Sequence, residues 1–237
     1  MLTVLISFIS IRYEMKKWYF ISPLVLQKII WIPTRLILKF FGHLEIKGLE
    51  NIKGIKGNII LACNHTSELD PILPPAALPF WSHFSPMFYA SREPRFYGGS
   101  GWRRHFYGGT FFEVWGSYQV FVGLHDYEKA LVNQIRILND GGTLCIFPEG
   151  RTTPNGQIQS GKGGVIYLAH VTGVPIVPVH LGGLFRLSMK DFFFRKRKLS
   201  VTFGRPIYVS SPDSAEISLS EFKEQANNLM GIVRDMV

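Results

Sequence analysis

Beyond residue 43, short apolar runs that are typical of buried strands alternate with segments whose apolar residues recur at helical spacing. Two helices are predicted between these runs, one capped by Asp126 and one over residues 163–172, and a last helix opens with the capping box Ser218 to Glu221. Because strands that alternate with helices form layered domains, the pattern predicts an α/β fold with a mostly parallel sheet flanked by helices. The predicted strands cover residues 44–46, 58–62, 87–90, 116–122, 142–147, 175–179 and 199–203.

The predicted strand over residues 175–179 carries two prolines, Pro175 and Pro178. Proline has no backbone N–H and therefore removes a hydrogen bond from the ladder of a sheet. We expect this segment to form an edge strand or the wall of an apolar pocket rather than a central strand.

The segment from Trp18 to Phe41 is strongly apolar but is interrupted by prolines and by Lys28, Arg35 and Lys39. It therefore never reaches the ~18 uncharged residues that are typical of a spanning helix. The three cations are spaced by seven and four residues, which places them in one stripe of a helix. This pattern predicts one or two amphipathic helices, kinked at Pro33, that lie in one leaflet with the cations at the lipid headgroups. The alternative is a helix that packs on the protein's own core.

We accordingly divide the chain into an N-terminal membrane-associating segment, residues 1–42, and an α/β domain, residues 43–237. The four residues Met15-Lys16-Lys17-Trp18 also resemble a start. Whether residues 1–14 belong to the natural product is left open at this point.

Lys and Arg number 26 against 17 Asp and Glu, which gives a formal charge of +9. An excess of this size favours anionic partners, namely nucleic acid, a phospholipid surface or a phosphorylated substrate. The sequence has none of the recognisable nucleic-acid-binding motifs, and its apolar N-terminal segment indicates lipid instead. Cations lie among aromatic residues in two places, a pattern that suits a headgroup interface or, alternatively, a solvated loop surface. These cations are Arg92, Arg95, Arg103, Arg104 and the run 195–198.

The most informative stretch, residues 64–70 with the letters NHTSELD, follows directly on the strand over residues 58–62. A strand-to-helix turn with Asp70 as N-cap and Pro71 at the first helical position would fold His65 back onto Asp70. A carboxylate that accepts the imidazole Nδ1–H fixes the tautomer and leaves Nε2 as a base for a hydroxyl substrate. The alternative is that Asp70 is a plain helix cap beside a loop histidine.

A second polar loop, residues 147–153 with the letters FPEGRTT, follows the strand over residues 142–147. Glu149 and Arg151 are expected to project from the carboxyl end of that strand, the edge where open α/β sheets place ligands. In isolation the same residues could form a surface turn with an ion pair.

Together these segments resemble the phospholipid and glycerol acyltransferase superfamily, whose members include the 1-acylglycerol-3-phosphate acyltransferases. Residues 64–70 match the family's N-H-x4-D motif, residues 147–150 its F-P-E-G motif and residues 174–179 its V-P-I-V-P-V motif, in the same order and spacing. The resemblance runs from about Gly48 to Pro206 and includes the turn at residues 48–51 and the glycine-rich residues 161–164.

The resemblance implies direct transfer of an acyl group from a thioester of coenzyme A or acyl carrier protein to the free hydroxyl of a lysolipid. It implies neither a metal nor a cofactor, and it places the protein peripherally or monotopically on the cytoplasmic face of a phospholipid membrane. The first candidate acceptor is 1-acyl-sn-glycerol-3-phosphate, which would give phosphatidic acid for phospholipid biosynthesis.

The same resemblance assigns roles to residues. His65 is the implied general base and Asp70 its orienting partner. Glu149 is expected to hold a neighbouring cation or a glycerol hydroxyl rather than the phosphate itself. The residues expected to contact the acceptor are Asn64, Arg92, Glu149, Gly150, Arg151, Thr152 and Lys162.

The sequence departs from the family pattern at two positions. Val122 stands where the family's second motif has an arginine, and Arg151 precedes Thr152 where the common third motif has threonine first. Because both departures fall on acceptor-reading residues, another lysophospholipid or glycerol-3-phosphate stays open as the acceptor. Arg92, Arg95 or Lys162 could supply the lost positive charge.

Three other functional classes are less well supported by the sequence. A hydrolase would need a nucleophile in a recognisable setting, and no G-x-S-x-G elbow is present. A zinc site built from His65, Glu68 and Asp70 is conceivable, but the sequence has no H-E-x-x-H motif and no further ligand at a spacing that is typical of zinc sites. A membrane-binding protein that keeps the fold without turnover is the non-enzymatic alternative, and the intact His65 and Asp70 argue against it.

Overall fold

The computed structural model describes residues 2–91, 113–124, 126–210 and 218–236. Four cations that were expected at a headgroup interface or acceptor site lie outside these ranges, namely Arg92, Arg95, Arg103 and Arg104. Each of the seven predicted strands is present. The strands are β1 (Glu45–Lys47), β2 (Ile60–Cys63), β3 (Met87–Ser91), β4 (Ser117–Gln119), β5 (Thr143–Ile146), β6 (Ile176–Gly182) and β7 (Ser200–Phe203).

The strands form one sheet in the order β1-β7-β6-β2-β5-β3-β4. All neighbouring pairs are parallel except β6 with β7, so the prediction of a mostly parallel sheet is confirmed. The two polar loops at residues 64–70 and 147–153 follow β2 and β5, which are adjacent parallel strands. Both loops therefore lie at the same edge of the sheet, next to each other.

Helices cover both faces of the sheet. Successive residues of a strand point to opposite faces, so Leu61 and Ile60 of β2 belong to two separate apolar cores. The core around Leu61 includes Leu38 of α1 (Leu2–Gly42) and residues of α2 (Leu73–Ala77). The core around Ile60 includes residues of the helices after β4, and Tyr19 and Phe20 of α1 pack against it. The other described helices are α3 (Tyr127–Ala130), α4 (Val132–Asn139), α5 (Gly164–Thr172), α6 (Met189–Phe193) and α7 (Leu219–Asp235).

The expectation that the proline-containing strand lies at a sheet edge is wrong. β6 is an interior strand that pairs with β2 on one side and with β7 on the other. Gly204, directly after β7, donates its backbone N–H to the Pro178 carbonyl (2.8 Å). In a strand, the amide nitrogen and the carbonyl of one residue point to the same side. The nitrogen of Pro178 therefore also faces β7, at the point where the pairing of β6 with β7 ends, so its missing N–H removes no hydrogen bond there. The ladder with β2 is therefore unaffected.

One side of α1 docks on the domain through backbone carbonyls. Arg35 donates to the carbonyls of Ala77 (3.1 Å) and Leu78 (3.2 Å) at the C-terminal end of α2, and Lys28 donates to the Phe80 carbonyl. The last carbonyls of a helix have no partner within it, so a cation at this position satisfies them. The expectation that the cations reach lipid headgroups is therefore wrong for Lys28 and Arg35, which bind the domain.

The opposite side of α1 is apolar and exposed. α1 continues as one helix through Pro33, and over Tyr19–Gly42 it is long and apolar enough to cross a membrane, judged by length and composition alone. This differs from the expectation that its charges make it too polar to span. The exposed row, spaced by three or four residues, consists of Ile21, Val25, Ile29, Ile32, Leu36 and Phe40. Over these residues, one side of the helix therefore binds the domain and another side presents an apolar row.

The turn after β1 depends on Gly48. Its φ angle is 74°, in the left-handed region that favours glycine. An added Cβ would lie 1.9 Å from the Phe203 carbonyl oxygen, and the same oxygen accepts a hydrogen bond from the Asn51 amide (2.8 Å). The turn thus connects the end of β1 to the end of β7.

We expect Gly48→Ala to lower the free energy of unfolding by ~2 kcal/mol or more, because it combines an unfavourable φ with an overlap against backbone. Urea denaturation followed by circular dichroism measures this change. Gly54→Ala is the matched control, since an added Cβ at Gly54 meets nothing within 4 Å. The control should change stability by no more than about 0.5 kcal/mol. Equal effects of the two substitutions would contradict this account of the turn.

Candidate functional site

The buried carboxylate of Asp70 organises the loop that follows β2. Its side chain is 0% exposed, and its Oδ2 atom lies 2.9 Å from Nδ1 of His65. Oδ2 also accepts the backbone N–H groups of Thr66 and Ser67, the second at 2.8 Å, and the Thr66 hydroxyl donates to Oδ1 at 3.2 Å. Asp70 is the first residue of a 3-10 turn that leads into α2. The predicted strand-to-helix turn forms and folds His65 back onto Asp70, but Asp70 is not its N-cap: Leu69 holds that position, and the Asp70 carboxylate binds the amides of the loop before it.

The imidazole ring of His65 is held on a second side by stacking. It lies over the ring of Phe147, with the ring centroids 4.3 Å apart and the planes inclined by 24°. The His65 side chain is 19% exposed and lines a cavity. Because Nδ1 is occupied by a buried carboxylate, the Nε2 edge of the ring is the one that can exchange a proton with a ligand. The ring has the geometry that a general base requires.

Glu149 joins the two polar loops. Its side chain is buried, and Oε1 accepts the backbone N–H of His65 (2.8 Å) while Oε2 accepts that of Gln159 (3.0 Å). Burial raises the pKa of the Glu149 carboxyl, and the two N–H donors partly offset that rise. The structure thus corrects the expectation that Glu149 contacts the acceptor or holds Arg151, since both of its oxygens bind backbone amides.

Asn64 also differs from the expected acceptor contact. Its side chain is 1% exposed, its Nδ2 donates to the Leu181 carbonyl (3.0 Å) and its Oδ1 accepts the Leu181 N–H (2.7 Å). The amide therefore continues the pairing of β2 with β6 one residue beyond Cys63, where β2 ends. A buried amide with both groups used in this way fixes the start of the loop rather than a ligand.

Four of the expected acceptor contacts line the cavity together: Gly150, Arg151, Thr152 and Lys162. Gly150 has a φ of 69°, and an added Cβ would lie 2.8 Å from Nζ of Lys162, so the lysine side chain passes directly over the glycine. The Lys162 backbone N–H donates to the Pro148 carbonyl (2.8 Å), which fixes this approach. The side chains of Arg151, Thr152 and Lys162 are exposed. This part of the cavity is therefore cationic and accessible to solvent.

The cavity beside His65 has a volume of about 720 Å³. Its walls come from α1, the loops after β2 and β5, the carboxyl end of β3, residues 115–124 and the start of α5, and they are mainly apolar. Ligand pockets of roughly 300–1,000 Å³ with such walls and a few polar groups are typical binding sites. Val122, where the resemblance implies an arginine, is 65% exposed and lines the cavity. Other apolar lining residues are Ile30, Trp31, Ile72, Val120, Phe121 and Leu124.

The sequence does not single out two further lining residues, Gln27 and Tyr89. The Gln27 amide accepts the Met87 N–H (2.9 Å) and donates to the carbonyls of Met87 (2.7 Å) and Trp115 (3.2 Å), which joins α1 to β3. The Tyr89 hydroxyl donates to the Pro71 carbonyl (3.0 Å) and so supports the loop that holds His65. For Gln27 the available signal is a side-chain amide inside an apolar segment. Nothing in the sequence alone distinguishes Tyr89 from other strand tyrosines.

The structure gives no support to the zinc alternative. Asp70 is already bound by His65 and by two backbone amides. Within the described ranges, no group of three or more His, Cys, Asp or Glu side chains is placed to hold a metal ion. Activity without a metal or cofactor stays a prediction.

A protein-family model described as acyltransferase matches residues 43–182. A 1-acyl-sn-glycerol-3-phosphate acyltransferase of Borreliella burgdorferi is 29% identical over 122 residues, which cover 50% of this chain and 45% of that protein. A probable 1-acyl-sn-glycerol-3-phosphate acyltransferase of Mycoplasma pneumoniae is 32% identical over 96 residues, 35% of each chain. The chain thus spans less than half the length of these curated relatives.

Among solved structures, the fold is similar to the crystal structure of the 1-acyl-sn-glycerophosphate acyltransferase PlsC from Thermotoga maritima. The TM-score is 0.58 at 20% sequence identity, and the match covers 88% of this chain and 80% of the other. At this level of identity the similarity concerns the fold, including a mostly parallel sheet flanked by helices.

Glu149→Gln preserves the shape of the side chain but replaces one acceptor oxygen with an NH₂ group, which would face a backbone N–H. We expect the free energy of unfolding to fall by about 1–3 kcal/mol, the penalty for a buried polar group without a partner. Urea denaturation measures the loss. Glu224→Gln, at an exposed position of α7, is the matched control and should have little effect. A loss no larger than that of the control would show that Glu149 does not join the loops.

Proposed function

Because the chain belongs to the acyltransferase family, we propose that it is an O-acyltransferase that moves a fatty acyl group from a thioester to the free hydroxyl of a lysophospholipid. The observation that carries this proposal is His65, paired with the buried Asp70 and facing a mainly apolar cavity. A histidine held in this way can activate a hydroxyl, and an apolar cavity suits an acyl chain. The acceptor we propose is 1-acyl-sn-glycerol-3-phosphate, the substrate that the names of the curated relatives state, with phosphatidic acid as product.

In the proposed reaction, Nε2 of His65 removes the proton from the acceptor hydroxyl while the hydroxyl oxygen attacks the thioester carbonyl carbon. Asp70 keeps the Nδ1–H in place and stabilises the imidazolium that forms. The tetrahedral intermediate then loses the thiol by cleavage of its C–S bond, and the leaving sulfur takes the proton from the imidazolium. The products are an ester and a free thiol of coenzyme A or acyl carrier protein. The reaction needs no acyl-enzyme, metal or cofactor.

We assign the two ends of the substrates to two parts of the cavity. The acyl chain lies along the apolar wall that α1 contributes, beside Ile30 and Trp31. The phosphate of the acceptor lies at the cationic part, within reach of Arg151 and Lys162, where Gly150 leaves room for the lysine. Cations in a partly enclosed site bind phosphate through charge-assisted hydrogen bonds.

The exposed apolar row of α1 supports a monotopic position on a membrane. Six large apolar side chains on one face of a helix exceed what a water-exposed surface normally carries. We propose that this face lies in the cytoplasmic leaflet, with the domain in the cytoplasm, where acyl thioesters of coenzyme A and acyl carrier protein are formed.

A second acceptor class follows from Val122. This exposed apolar residue lines the cavity where the family pattern has an arginine, so one implied phosphate contact is replaced by an apolar one. A lysophospholipid with a different headgroup, or glycerol-3-phosphate, is the alternative acceptor. A panel of acceptors in one assay separates these substrates by kcat/KM.

We expect His65→Ala to lower kcat for acceptor-dependent thiol release by roughly 10²–10⁴-fold, since the substitution removes the general base. The assay follows free thiol from acyl-CoA or acyl carrier protein thioesters with a panel of lysolipids in detergent. His83→Ala is the matched control, because His83 is exposed and does not line the cavity. Release that persists in His65→Ala, or an absence of release with every acceptor, would overturn the proposed reaction and favour a non-catalytic membrane-binding protein.

Lys162→Met should raise the KM for 1-acyl-sn-glycerol-3-phosphate by roughly tenfold or more, since a hydrogen bond to a charged group contributes about 1.5–3 kcal/mol. Initial rates at varied acceptor concentration give KM and kcat separately. If the enzyme also accepts a monoacylglycerol, which has no phosphate, the KM for that acceptor should not change. Lys223→Met, at an exposed position of α7, controls for the loss of one charge. An equal rise in KM for both acceptors would show that Lys162 does not bind the phosphate.

A further inference from the structure

Aromatic rings connect the end of α1 to α6. The ring of Phe41 lies 5.7 Å from that of Phe192 and 5.1 Å from that of Phe193, and Phe40 packs on Phe41 at 4.8 Å. Despite these contacts, the side chains of Phe40, Phe193 and Phe194 are 59%, 52% and 68% exposed. Three large exposed rings in one place form an apolar patch, which on a protein surface indicates an interaction site.

A run of cations follows these rings directly. Residues 189–198 carry five positive charges, those of Lys190 and of residues 195–198, against the single carboxylate of Asp191. All four residues of the run 195–198 are exposed. The surface is therefore both aromatic and strongly basic. This combination is typical of the membrane–water interface, where rings sit at headgroup level and cations meet anionic lipids.

Specific contacts hold this run in place beside α1. The Arg195 guanidinium lies 4.8 Å from the centroid of the Phe40 ring, and its Nε donates to Nε2 of His43 (3.2 Å). The Arg197 guanidinium donates to the Phe185 carbonyl (3.0 Å). The positions of the cations relative to α1 are thus defined by the fold.

The patch is continuous with the exposed side of α1. Phe40 is the last member of the exposed apolar row that begins at Ile21, and Phe40 is also the ring that Arg195 covers. Any partner surface that binds the apolar row of α1 is therefore also in contact with the rings and cations at the C-terminal end of α1.

We propose that Phe40, Phe193, Phe194 and residues 190–198 form a docking surface for the anionic headgroups of a phospholipid bilayer. We call it the basic aromatic surface. Charge complementarity selects an anionic bilayer, and the exposed phenylalanines select a lipid interface over other polyanions. α1 alone would leave the domain free to rotate about the helix axis. The second contact, beside the end of α1, fixes that rotation and with it the direction in which the cavity faces. This inference rests on the proposed membrane position of α1 and not on acyl transfer.

The test compares binding to vesicles of phosphatidylcholine alone with binding to vesicles that are one third phosphatidylglycerol. A triple variant, Lys190→Gln with Lys196→Gln and Lys198→Gln, removes three charges and keeps the two arginines. Of the three lysines, Lys196 lies 4.0 Å from the Asp191 carboxylate, a half-exposed pair whose loss should change stability little. We expect the full chain to partition more strongly onto the anionic vesicles, and the triple variant to lose about tenfold or more of that binding at low salt. Sedimentation with the vesicles measures the bound fraction.

The matched control removes the same charge elsewhere, with Lys53→Gln, Lys56→Gln and Lys223→Gln at exposed positions. It should keep most of the anionic preference. A control that loses as much as the triple variant, or a full chain that does not distinguish the two vesicle types, would overturn the proposal. Phe194→Ser should weaken binding to both vesicle types, and unchanged binding would contradict the role of the rings.

Failure of this proposal can be distinguished from failure of the proposed function. Binding to vesicles is measured without substrates, so it does not depend on turnover. Thiol release in detergent should be the same for the triple variant and the unmodified chain, because none of its three positions lines the cavity. If the full chain binds neither vesicle type, both the proposed basic aromatic surface and the proposed membrane position of α1 are wrong. The proposed acyl transfer is tested separately by thiol release in detergent.

Discussion

A buried carboxylate that is surrounded by N–H donors determines the shape of this site. Leaving the Asp70 carboxylate buried without partners would cost several kcal/mol, so the backbone after β2 turns sharply enough to supply two amides and a hydroxyl. The same turn places the His65 ring against the carboxylate and the ring of Phe147. Glu149 repeats this arrangement between loops, because its two oxygens bind the amides of His65 and Gln159. The position of the histidine therefore follows from hydrogen bonding to two buried carboxyl groups, those of Asp70 and Glu149.

The parts of the site that could be predicted from the sequence are those in which the partners are close along the chain. His65 and Asp70 are five residues apart, so a strand-to-helix turn is enough to join them. The family resemblance implies an acceptor contact for Glu149, and its position after a strand of the sheet is consistent with one. Its actual partners are the His65 amide, in the loop after β2, and the Gln159 amide, ten residues further along its own loop. Neither the contact nor the burial of Glu149 can be derived from local spacing.

In the fold, too, features set by residues close along the chain could be predicted, and features set by distant partners could not. Seven strands were predictable because short apolar runs bounded by turn residues are a local pattern. The interior position of β6 was not predictable. The sequence shows that Pro178 lacks an N–H, but not that this position faces the end of the β6–β7 pairing, where no hydrogen bond is lost. The stripe of cations on α1 was also visible in the sequence. Their partners were not, since the carbonyls at the end of α2 that bind Arg35 lie about forty residues further along the chain. Only the folded chain shows that Lys28 and Arg35 bind the domain while the apolar row from Ile21 to Phe40 is exposed.

The contribution of α1 to the cavity wall has a kinetic consequence. Ile30 and Trp31 line the space beside His65, while neighbouring residues of the same helix are exposed. If α1 lies in the leaflet as proposed, the lipid phase and the cavity share a boundary, and the proposed lysolipid substrate would reach His65 by lateral diffusion without passing through water. Encounter then takes place in two dimensions. Its frequency follows the mole fraction of lysolipid in the leaflet rather than the amount per volume of solution, so that added inert lipid dilutes the substrate even when its total quantity is unchanged.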